Sequence, residues 1–351
     1  MRLLTTVFSV IGLLALGIQP ASAQKKLLAL SKADHVLAVI DPATGKELGR
    51  VPVGDDPHEV IASSDGKTAY VSITYAGTTH DIDVIDLVTL KRLADIDTRP
   101  LYNPHGLDFA VGKLWFSAEG SRAVGRYDPA SKMLDWSMGT GEDRTHMVYV
   151  TPDAKYVYTT NVNAGTVSIL QDSIMTPNFG PPPGAPAPGG NPPPPPPSGP
   201  QPPRHVWLNT VVPVTKGAEG FDVSPNGKEL WTAAAAEGEV WIVDLVSKKT
   251  IGKADVVAKG ANRLKFSPDG KYALVSSLFS GELFVIDAAT RKLVKTIKVG
   301  KGCAGILTDP DSKKVYVACT PDNYIQIVDL GKMEIVGKIF LNGADGMAWS
   351  K

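Results

Sequence analysis

The chain has 351 residues, of which 43% are apolar and 21% are charged, a composition typical of an ordinary folded protein. Lysine plus arginine equals aspartate plus glutamate at 36 each, so the formal net charge is zero. Nucleic-acid binding depends on clustered positive charge that displaces counterions, and this balance argues against a nucleic-acid partner.

The first 23 residues have the pattern of a secretory signal peptide. A basic start at Arg2 precedes an apolar stretch over residues 3–18, and Ala21, Ser22 and Ala23 supply the small residues of a cleavage site. The stretch is too short for a membrane-spanning helix, and no other segment approaches 18 apolar residues. We therefore expect a mature chain over residues 24–351, without a membrane span, in the periplasm or secreted from the cell.

A repeated four-strand unit organises the rest of the chain. Alternating apolar and polar residues predict strands over 262–267, 271–277, 282–286 and 292–299, joined by short turn sequences, which is an antiparallel meander. The turn and strand SPDGKYALVS recurs as SSDGKTAYVS, TPDAKYVYTT, SPNGKELWTA and DPDSKKVYVA. Equivalent positions at the start of each first strand are spaced by 47, 41, 73, 43, 42 and 41 residues. They fall at His58, His105, His146, Glu219, Asn262, Ala304 and Asp345.

A period near 42 residues with four strands per unit predicts an all-β, seven-bladed β-propeller. The segment 26–53 holds only three strands and the C-terminal DGMAWSK holds one, so the two ends complement each other in a single blade. Six whole blades and this shared blade make seven, and the closure leaves no strand edge unpaired. We expect one domain over residues 24–351.

The strand sequences resemble those of a known family. The strings AYVS, VYTTN and VYVA, after turns of the Pro-Asp-Gly-Lys type, look like the YVTN family of seven-bladed propellers. The resemblance covers residues 26–351 and implies the fold. Relatives and look-alikes include surface-layer proteins, periplasmic proteins of unknown role, lactonase-type hydrolases and the haem-binding propeller of a nitrite reductase. The resemblance therefore implies no single activity.

A proline-rich insertion over residues 176–203 accounts for the spacing of 73 residues. From Pro177 onward, 15 of 27 residues are proline, and such a composition predicts an extended, disordered loop. The insertion falls between the third and fourth strands of the third blade. A tolerated, solvated loop is favoured over a docking motif, because loops accept extra length at low entropic cost.

Five of the six histidines are predicted to lie on one face of the propeller, here called the top face. His58, His105 and His146 each begin an innermost strand in three consecutive blades, at the top mouth of the central channel. Glu219 follows at the equivalent position of the fourth blade. Three neutral imidazoles and a carboxylate suit a transition metal ion such as Zn, Cu or Fe and leave room for an open coordination position.

Other interpretations of the same ring stay open. Asn262, Arg263 and Asp345 are candidates to bind a polar organic ligand, and a structural role of the histidines at the channel mouth is the third interpretation. One hypothesis is a monomeric binding module that holds a small molecule or protein partner on its top face. The alternative is a metal-dependent periplasmic enzyme of oxidoreductase, lactonase or lyase type. Its catalytic candidates are His105, His146 and Glu219.

The two cysteines are predicted to face each other across one hairpin of the sixth blade. Cys303 precedes the first strand of that blade and Cys319 ends its second strand, at nearly opposite positions across the connecting turn. In an exported protein this arrangement favours a disulfide bond. A cysteine ligand at the channel mouth is the alternative.

Overall fold

The chain forms seven four-stranded antiparallel sheets arranged around a central channel. The structure is a computed structural model that describes residues 25–74, 77–175 and 203–350. The expected signal peptide (1–23) and nearly all of the proline-rich insertion (176–203) lie outside these residues. Within the described residues the helices are two single 3₁₀ turns, Glu119–Ser121 and Thr320–Asp322. No helix there is long and apolar enough to cross a membrane.

The strands are numbered in chain order. The first ten are β1 (Lys26–Ser31), β2 (Val36–Ile40), β3 (Glu47–Pro52), β4 (Pro57–Ala62), β5 (Thr68–Ile73), β6 (Asp81–Asp86), β7 (Lys91–Arg92), β8 (Ile96–Asp97), β9 (Pro104–Ala110) and β10 (Lys113–Ala118). The next ten are β11 (Ala123–Asp128), β12 (Met133–Gly139), β13 (Thr145–Val150), β14 (Tyr156–Asn161), β15 (Thr166–Met175), β16 (Arg204–Pro213), β17 (Ala218–Val223), β18 (Glu229–Ala234), β19 (Val240–Asp244) and β20 (Lys249–Lys253). The last nine are β21 (Ala261–Phe266), β22 (Tyr272–Ser277), β23 (Glu282–Asp287), β24 (Lys292–Lys298), β25 (Cys303–Thr308), β26 (Lys314–Cys319), β27 (Tyr324–Asp329), β28 (Glu334–Phe340) and β29 (Ala344–Ser350).

These strands confirm the predicted seven-bladed propeller. Blades 1 to 6 are β4–β7 with β8, β9–β12, β13–β16, β17–β20, β21–β24 and β25–β28, and the first strand of each is innermost. Blade 7 has the order β29-β1-β2-β3, in which the C-terminal strand is innermost, as predicted. Leu27 pairs with Trp349 and Leu28 with Ala348 across this closure. The innermost strands contact one another in the ring order β4, β9, β13, β17, β21, β25, β29 and back to β4.

The recurring turn has a local physical cause. Between β21 and β22, the Ser267 hydroxyl bonds Asp269 Oδ1 and accepts the Tyr272 amide at 2.9 Å. Asp269 Oδ1 also accepts the Lys271 amide at 3.0 Å. Gly270 takes a φ of 70°, a left-handed conformation in which glycine is least strained. The Ser-Pro-Asp-Gly-Lys sequence therefore specifies this turn, which lies on the bottom face.

The hydrophobic core lies between neighbouring blades. The cluster between blades 4 and 5, for example, packs Trp231 and Ile242 against Leu264, Phe266 and Val275. Such side chains each contribute about 1.5–3 kcal/mol when buried. Apolar residues fill the space between neighbouring sheets, so the residues that face the central channel can be polar.

A β-bulge occurs near the start of every innermost strand. In β4, Pro57 pairs with Ile73 and Val60 pairs with Val71, so three steps on β4 match two steps on β5. The same shift occurs in the other six blades. The second and third residues of each strand occupy the bulge, which redirects their side chains. His58, His105 and His146 are second residues of their strands, rather than the first residues predicted from sequence.

Hydroxyl groups on second strands tie successive blades together at this level. Ser117 donates to the His146 carbonyl, and Thr160 donates to the Glu219 carbonyl at 2.6 Å. Ser276 donates to the Ala304 carbonyl at 2.8 Å. These bonds fix the backbone of the bulged residues, so the side chains at the channel mouth project from a rigid ring.

Cys303 and Cys319 form a disulfide bond in the structure. They are directly paired residues of β25 and β26, and both are fully buried. The bond joins the first two strands of blade 6 at the top face, one blade away from Asn262.

Candidate functional site

The structure brings the three predicted histidines together at the top mouth of the channel. The ring centroids of His58 and His105 are 4.5 Å apart, and those of His105 and His146 are 4.0 Å apart. His105 therefore lies in contact with both of the others. We call these three residues the histidine cluster. Inner strands converge toward the channel axis, which lets histidines from three blades meet.

Each member of the histidine cluster has a buried nitrogen that makes no hydrogen bond within the described residues. The atoms are Nδ1 of His58, Nδ1 of His105 and Nε2 of His146. His105 and His146 are 4% and 1% exposed, so bulk water has little access to their imidazole rings. A buried polar atom without a partner costs about 1–3 kcal/mol, and native proteins rarely leave such atoms unpaired.

Glu119 orients His146. It lies in the top-face turn after β10, and its Oε1 is 2.5 Å from His146 Nδ1. An ionised carboxylate only accepts hydrogen bonds, so His146 Nδ1 carries the hydrogen and Nε2 keeps the lone pair in the neutral ring. Arg144 Nε donates to the same oxygen at 3.2 Å. Burial alone would raise the pKa of Glu119, but the hydrogen bond from His146 and the charge of Arg144 lower it.

The environment keeps His58 and His105 neutral. Burial lowers the pKa of His105 well below its usual value, and the neighbouring His146 and His58 lower it further. Burial also lowers the pKa of His58 well below its usual value, assisted by the charges of Lys32 and Arg263. Neutral imidazoles offer the lone pairs that metal ions need, so low pKa values favour metal binding at neutral pH.

The carboxylate bonded to His146 is Glu119 rather than Glu219. Glu219 sits at the predicted ring position, but its carboxylate accepts from Asn262 Nδ2 and lies 3.6 Å from Arg144 Nη1. The described residues contain two sets of three side chains that could bind a metal ion, and the ligand-type atoms within each set lie within 4.8 Å of one another. One consists of His105, Glu119 and His146, and the other of His58, Glu59 and His105. These sets come from the described residues, and Glu219 belongs to neither.

The three predicted ligand-binding residues occupy different environments. Asn262 is bonded to Glu219. Arg263 Nη2 is 2.5 Å from Glu59 Oε1 and 3.5 Å from His58 Nε2. Asp345 Oδ2 is 3.5 Å from His58 Nδ1 and 3.4 Å from Lys32 Nζ, and burial raises the pKa of Asp345 to about 6.

Sequence reasoning missed Glu59, Glu119 and Lys32. Glu59 follows His58 directly, and only the bulge, which the sequence does not mark, turns it toward the channel. Glu119 and Lys32 lie in top-face turns of blades 2 and 7, and no motif in the sequence links either of them to a histidine.

The remaining histidines lie away from the cluster. His35 Nδ1 is 2.6 Å from Asp55 Oδ1 on the top face, and His80 contacts the Leu101 carbonyl at 3.2 Å. His205, near the start of β16 and so toward the bottom face, is 3.0 Å from Asp172 Oδ1.

Below the histidine cluster the channel contains a cavity of about 660 Å³ that extends toward the bottom face. Glu59, Arg263 and Asp345 line its upper part, and Val111 and Pro152 line its lower end. Pockets for small organic ligands range over about 300–1,000 Å³, so the cavity is of ligand size.

Comparison with known proteins supports the fold. No family model matches the chain, and no curated protein sequence matches it significantly. Among solved structures, a candidate 6-phosphogluconolactonase from Bacteroides fragilis is 16% identical with a TM-score of 0.70, over 95% of this chain and 100% of that one. The dihydro-heme d1 dehydrogenase NirN in complex with DHE is 16% identical with a TM-score of 0.62, over 93% of this chain and 66% of that one.

Hydrazine synthase from Kuenenia stuttgartiensis is also 16% identical, with a TM-score of 0.62, over 83% of this chain and 88% of that one. At this identity the likeness extends to the fold alone, and membership of the YVTN family is not confirmed. The chain is thus similar in fold to lactonase-like and other β-propeller proteins, and its function has to be argued from its own residues.

Proposed function

We propose that this chain is an exported β-propeller that binds a divalent transition metal ion at the top mouth of its channel. The observation that carries the proposal is the contact of His105 and His146, whose rings are 4.0 Å apart and which each have a buried nitrogen without a hydrogen-bond partner within the described residues. A metal ion supplies the missing partner to such atoms, whereas a purely structural histidine is normally satisfied by a hydrogen bond.

His105 and His146 would hold the ion, whereas His58 contacts His105 but belongs to a different set of ligand-type atoms. Glu119 would act on His146 Nδ1 and keep Nε2 available, as carboxylates beside metal-binding histidines commonly do. Zn, Cu and Fe suit a ligand set of imidazoles with an open position. When bound, the ion would supply Lewis acidity, or electron transfer if it is Cu or Fe.

The charges around the histidine cluster also favour a cation. Four carboxylates contact this network: Glu59, Glu119, Glu219 and Asp345. Three cationic side chains balance them in part: Lys32, Arg144 and Arg263. The histidines are counted as neutral. Four carboxylates and three cationic side chains therefore leave one excess negative charge in this network before an ion binds.

Export is supported by the leader-like sequence and by the disulfide bond. Disulfide bonds persist mainly in oxidising compartments such as the periplasm. A Cys303–Cys319 bond is therefore consistent with a periplasmic or secreted protein.

Metal analysis of untagged protein tests the proposal. We expect the wild type to retain roughly one equivalent of a transition metal and His105→Ala to retain less than about 0.1 equivalent. His205→Ala is the matched control, because His205 is exposed and lies outside the cluster. Equal metal content in the wild type and His105→Ala would refute the proposal.

An enzymatic role for the metal is a second candidate function. The cavity next to the histidine cluster favours it, since a catalytic metal needs an adjacent space for substrate. His105 and His146 would then act as ligands rather than as general bases. Turnover of lactone or redox substrates by metal-loaded protein, abolished in His105→Ala and kept in His205→Ala, would establish it. Stoichiometric metal without turnover would leave the binding module as the function.

A further inference from the structure

Two long, charged side chains cross the channel immediately below the histidine cluster. The third residue of the innermost strand is glycine in four blades: Gly106, Gly220, Gly305 and Gly346. A Cβ atom at any of these glycines would meet backbone atoms of the next blade at 2.3–2.8 Å. Blades 1 and 5 instead carry Glu59 and Arg263 at this position. Blade 3 carries Met147 at this position, so Glu59 and Arg263 are the two charged exceptions to the small residues that the close packing favours.

Glu59 and Arg263 pair with each other across the channel. Blades 1 and 5 are not neighbours in the ring, yet Arg263 Nη2 lies 2.5 Å from Glu59 Oε1. The Arg263 side chain is 11% exposed and the Glu59 side chain is 17% exposed. Both residues line the cavity below, and both contact or adjoin His58 above. This ion pair, which we call the crossbar, separates the histidine cluster from the cavity.

Glu59 has two competing partners. It is bonded to Arg263, and it also belongs to the set with His58 and His105 whose ligand-type atoms lie within 4.8 Å of one another. The Nδ1 atoms of His58 and His105 have no hydrogen-bond partner within the described residues. A metal ion at this set would therefore compete with Arg263 for the Glu59 carboxylate, because both carry positive charge.

We propose that a metal ion on the histidine cluster draws Glu59 away from Arg263, and that the released guanidinium then binds a small carboxylate from the cavity. The inference rests on the proposed metal binding. Without Glu59, the Arg263 guanidinium would keep only the 3.5 Å contacts to Asn262 Oδ1 and His58 Nε2 among the hydrogen bonds of the described residues, and a buried charge that is so weakly paired favours another anion. The planar fork of arginine matches a carboxylate in bidentate geometry, which makes a carboxylate the expected ligand class.

The charge of the cavity makes this binding depend on the metal. Its lining carries four carboxylates, those of Glu59, Asp108, Asp222 and Asp345, and two cations, Arg263 and Lys265. An anion is disfavoured there until a divalent ion offsets the excess of two negative charges. Metal and carboxylate should therefore strengthen each other's binding by the same factor.

The lower cavity indicates the shape of the ligand. Asp108 and Asp222 accept backbone amides of Val150 and Phe266 at 2.6 and 2.9 Å, so these carboxylates are engaged in holding neighbouring blades together. Apolar or aromatic walls are provided by Phe109, Tyr149, Leu307 and Met347. A carboxylate with an apolar or aromatic body would place its charged group on Arg263 and its body among these side chains.

Calorimetric titration with Zn²⁺ and benzoate tests the coupling. Zn²⁺ is titrated into the full mature chain alone, and benzoate is then titrated with and without saturating Zn²⁺. We expect Zn²⁺ to increase benzoate affinity at least about tenfold. Benzoate affinity that is unchanged by bound Zn²⁺ overturns this inference and leaves the proposed function standing. Failure of Zn²⁺ to bind in the first titration overturns both.

Three variants locate the coupling. Arg263→Gln should still bind Zn²⁺ and should lose benzoate binding. Glu59→Gln removes the carboxylate that competes for Arg263, so benzoate should bind more tightly than to the wild type without Zn²⁺, and Zn²⁺ should increase its affinity by less than in the wild type. Lys265→Gln removes the other cation of the cavity and should keep the coupling. Circular dichroism verifies folding of each variant, and loss of coupling in Lys265→Gln with retention in Arg263→Gln overturns the assignment to Arg263.

Discussion

Replacement of Glu119 by glutamine is expected to weaken metal binding although Glu119 is not proposed as a ligand. The carboxylate holds His146 Nδ1 at 2.5 Å and so determines which ring nitrogen carries the hydrogen. A neutral amide in its place can donate to Nδ1 as readily as accept from it. When it donates, the hydrogen moves to His146 Nε2, and the lone pair proposed to bind the ion is lost.

The size of the effect follows from this geometry. Loss of a carboxylate that orients a metal-binding histidine typically lowers metal affinity 10–100-fold, which corresponds to about 1.4–2.8 kcal/mol. The contact is buried and also involves Arg144, so solvent screening is weak, and we expect the upper half of this range.

Glu219→Gln is the matched control. Glu219 occupies the equivalent ring position of blade 4, but its carboxylate faces Asn262 and Arg144. Competition titration with a chromophoric Zn²⁺ chelator measures both variants, and thermal unfolding by circular dichroism confirms that they fold. We expect Glu219→Gln to lower Zn²⁺ affinity less than Glu119→Gln, because Glu219 contributes charge to the network but contacts none of the three histidines. If Glu219→Gln weakens binding as much as Glu119→Gln or more, the proposed role of Glu119 is refuted.

Three further predictions concern stability. Burial raises the pKa of Asp108 to about 6, above its value of about 3.9 in an unfolded chain, so this group lowers the free energy of unfolding as pH rises from about 4 to about 6. In urea denaturation, the free energy of unfolding of the wild type should fall by about 2–3 kcal/mol relative to that of Asp108→Asn across this range. A pH-independent difference between the two proteins would contradict this prediction. Gly220→Ala places a Cβ 2.3 Å from a backbone oxygen and should cost about 1–3 kcal/mol, whereas Gly139→Ala meets its nearest atom at 4.0 Å and should change stability by less than about 0.5 kcal/mol. Replacing both Cys303 and Cys319 by alanine should lower the free energy of unfolding by about 3 kcal/mol, and unchanged denaturation would argue against the bond.

The fold was predictable because its signals are local and repeated. Each Ser-Pro-Asp-Gly type turn specifies a hairpin through contacts within about five residues, as in 267–272. Three strands at one end and one at the other then leave a single way to complete the last blade. The strand boundaries of blade 5 differ from the predicted ones by no more than two residues.

The site was predictable only in part. The equivalent positions of His58, His105 and His146 follow from the repeat, so their shared location could be read from the sequence. Their partners could not, because Glu119 reaches His146 from a turn 27 residues away and Arg263 reaches Glu59 across 204 residues. Such contacts depend on the β-bulges and on the closure of the ring, and neither has a signature at these residues. The repeat therefore predicted Glu219 as a metal ligand, and it contained no signal for Glu119, the carboxylate that is bonded to His146 in the structure.

Binding of a transition metal ion by the histidine cluster can be observed directly by anomalous X-ray diffraction. The data are collected from crystals of untagged, metal-loaded protein on both sides of the metal absorption edge. We expect an anomalous peak at about 2.0–2.1 Å from nitrogen atoms of His105 and His146. Absence of a peak at the top mouth, or a peak on exposed histidines such as His205 alone, would contradict it.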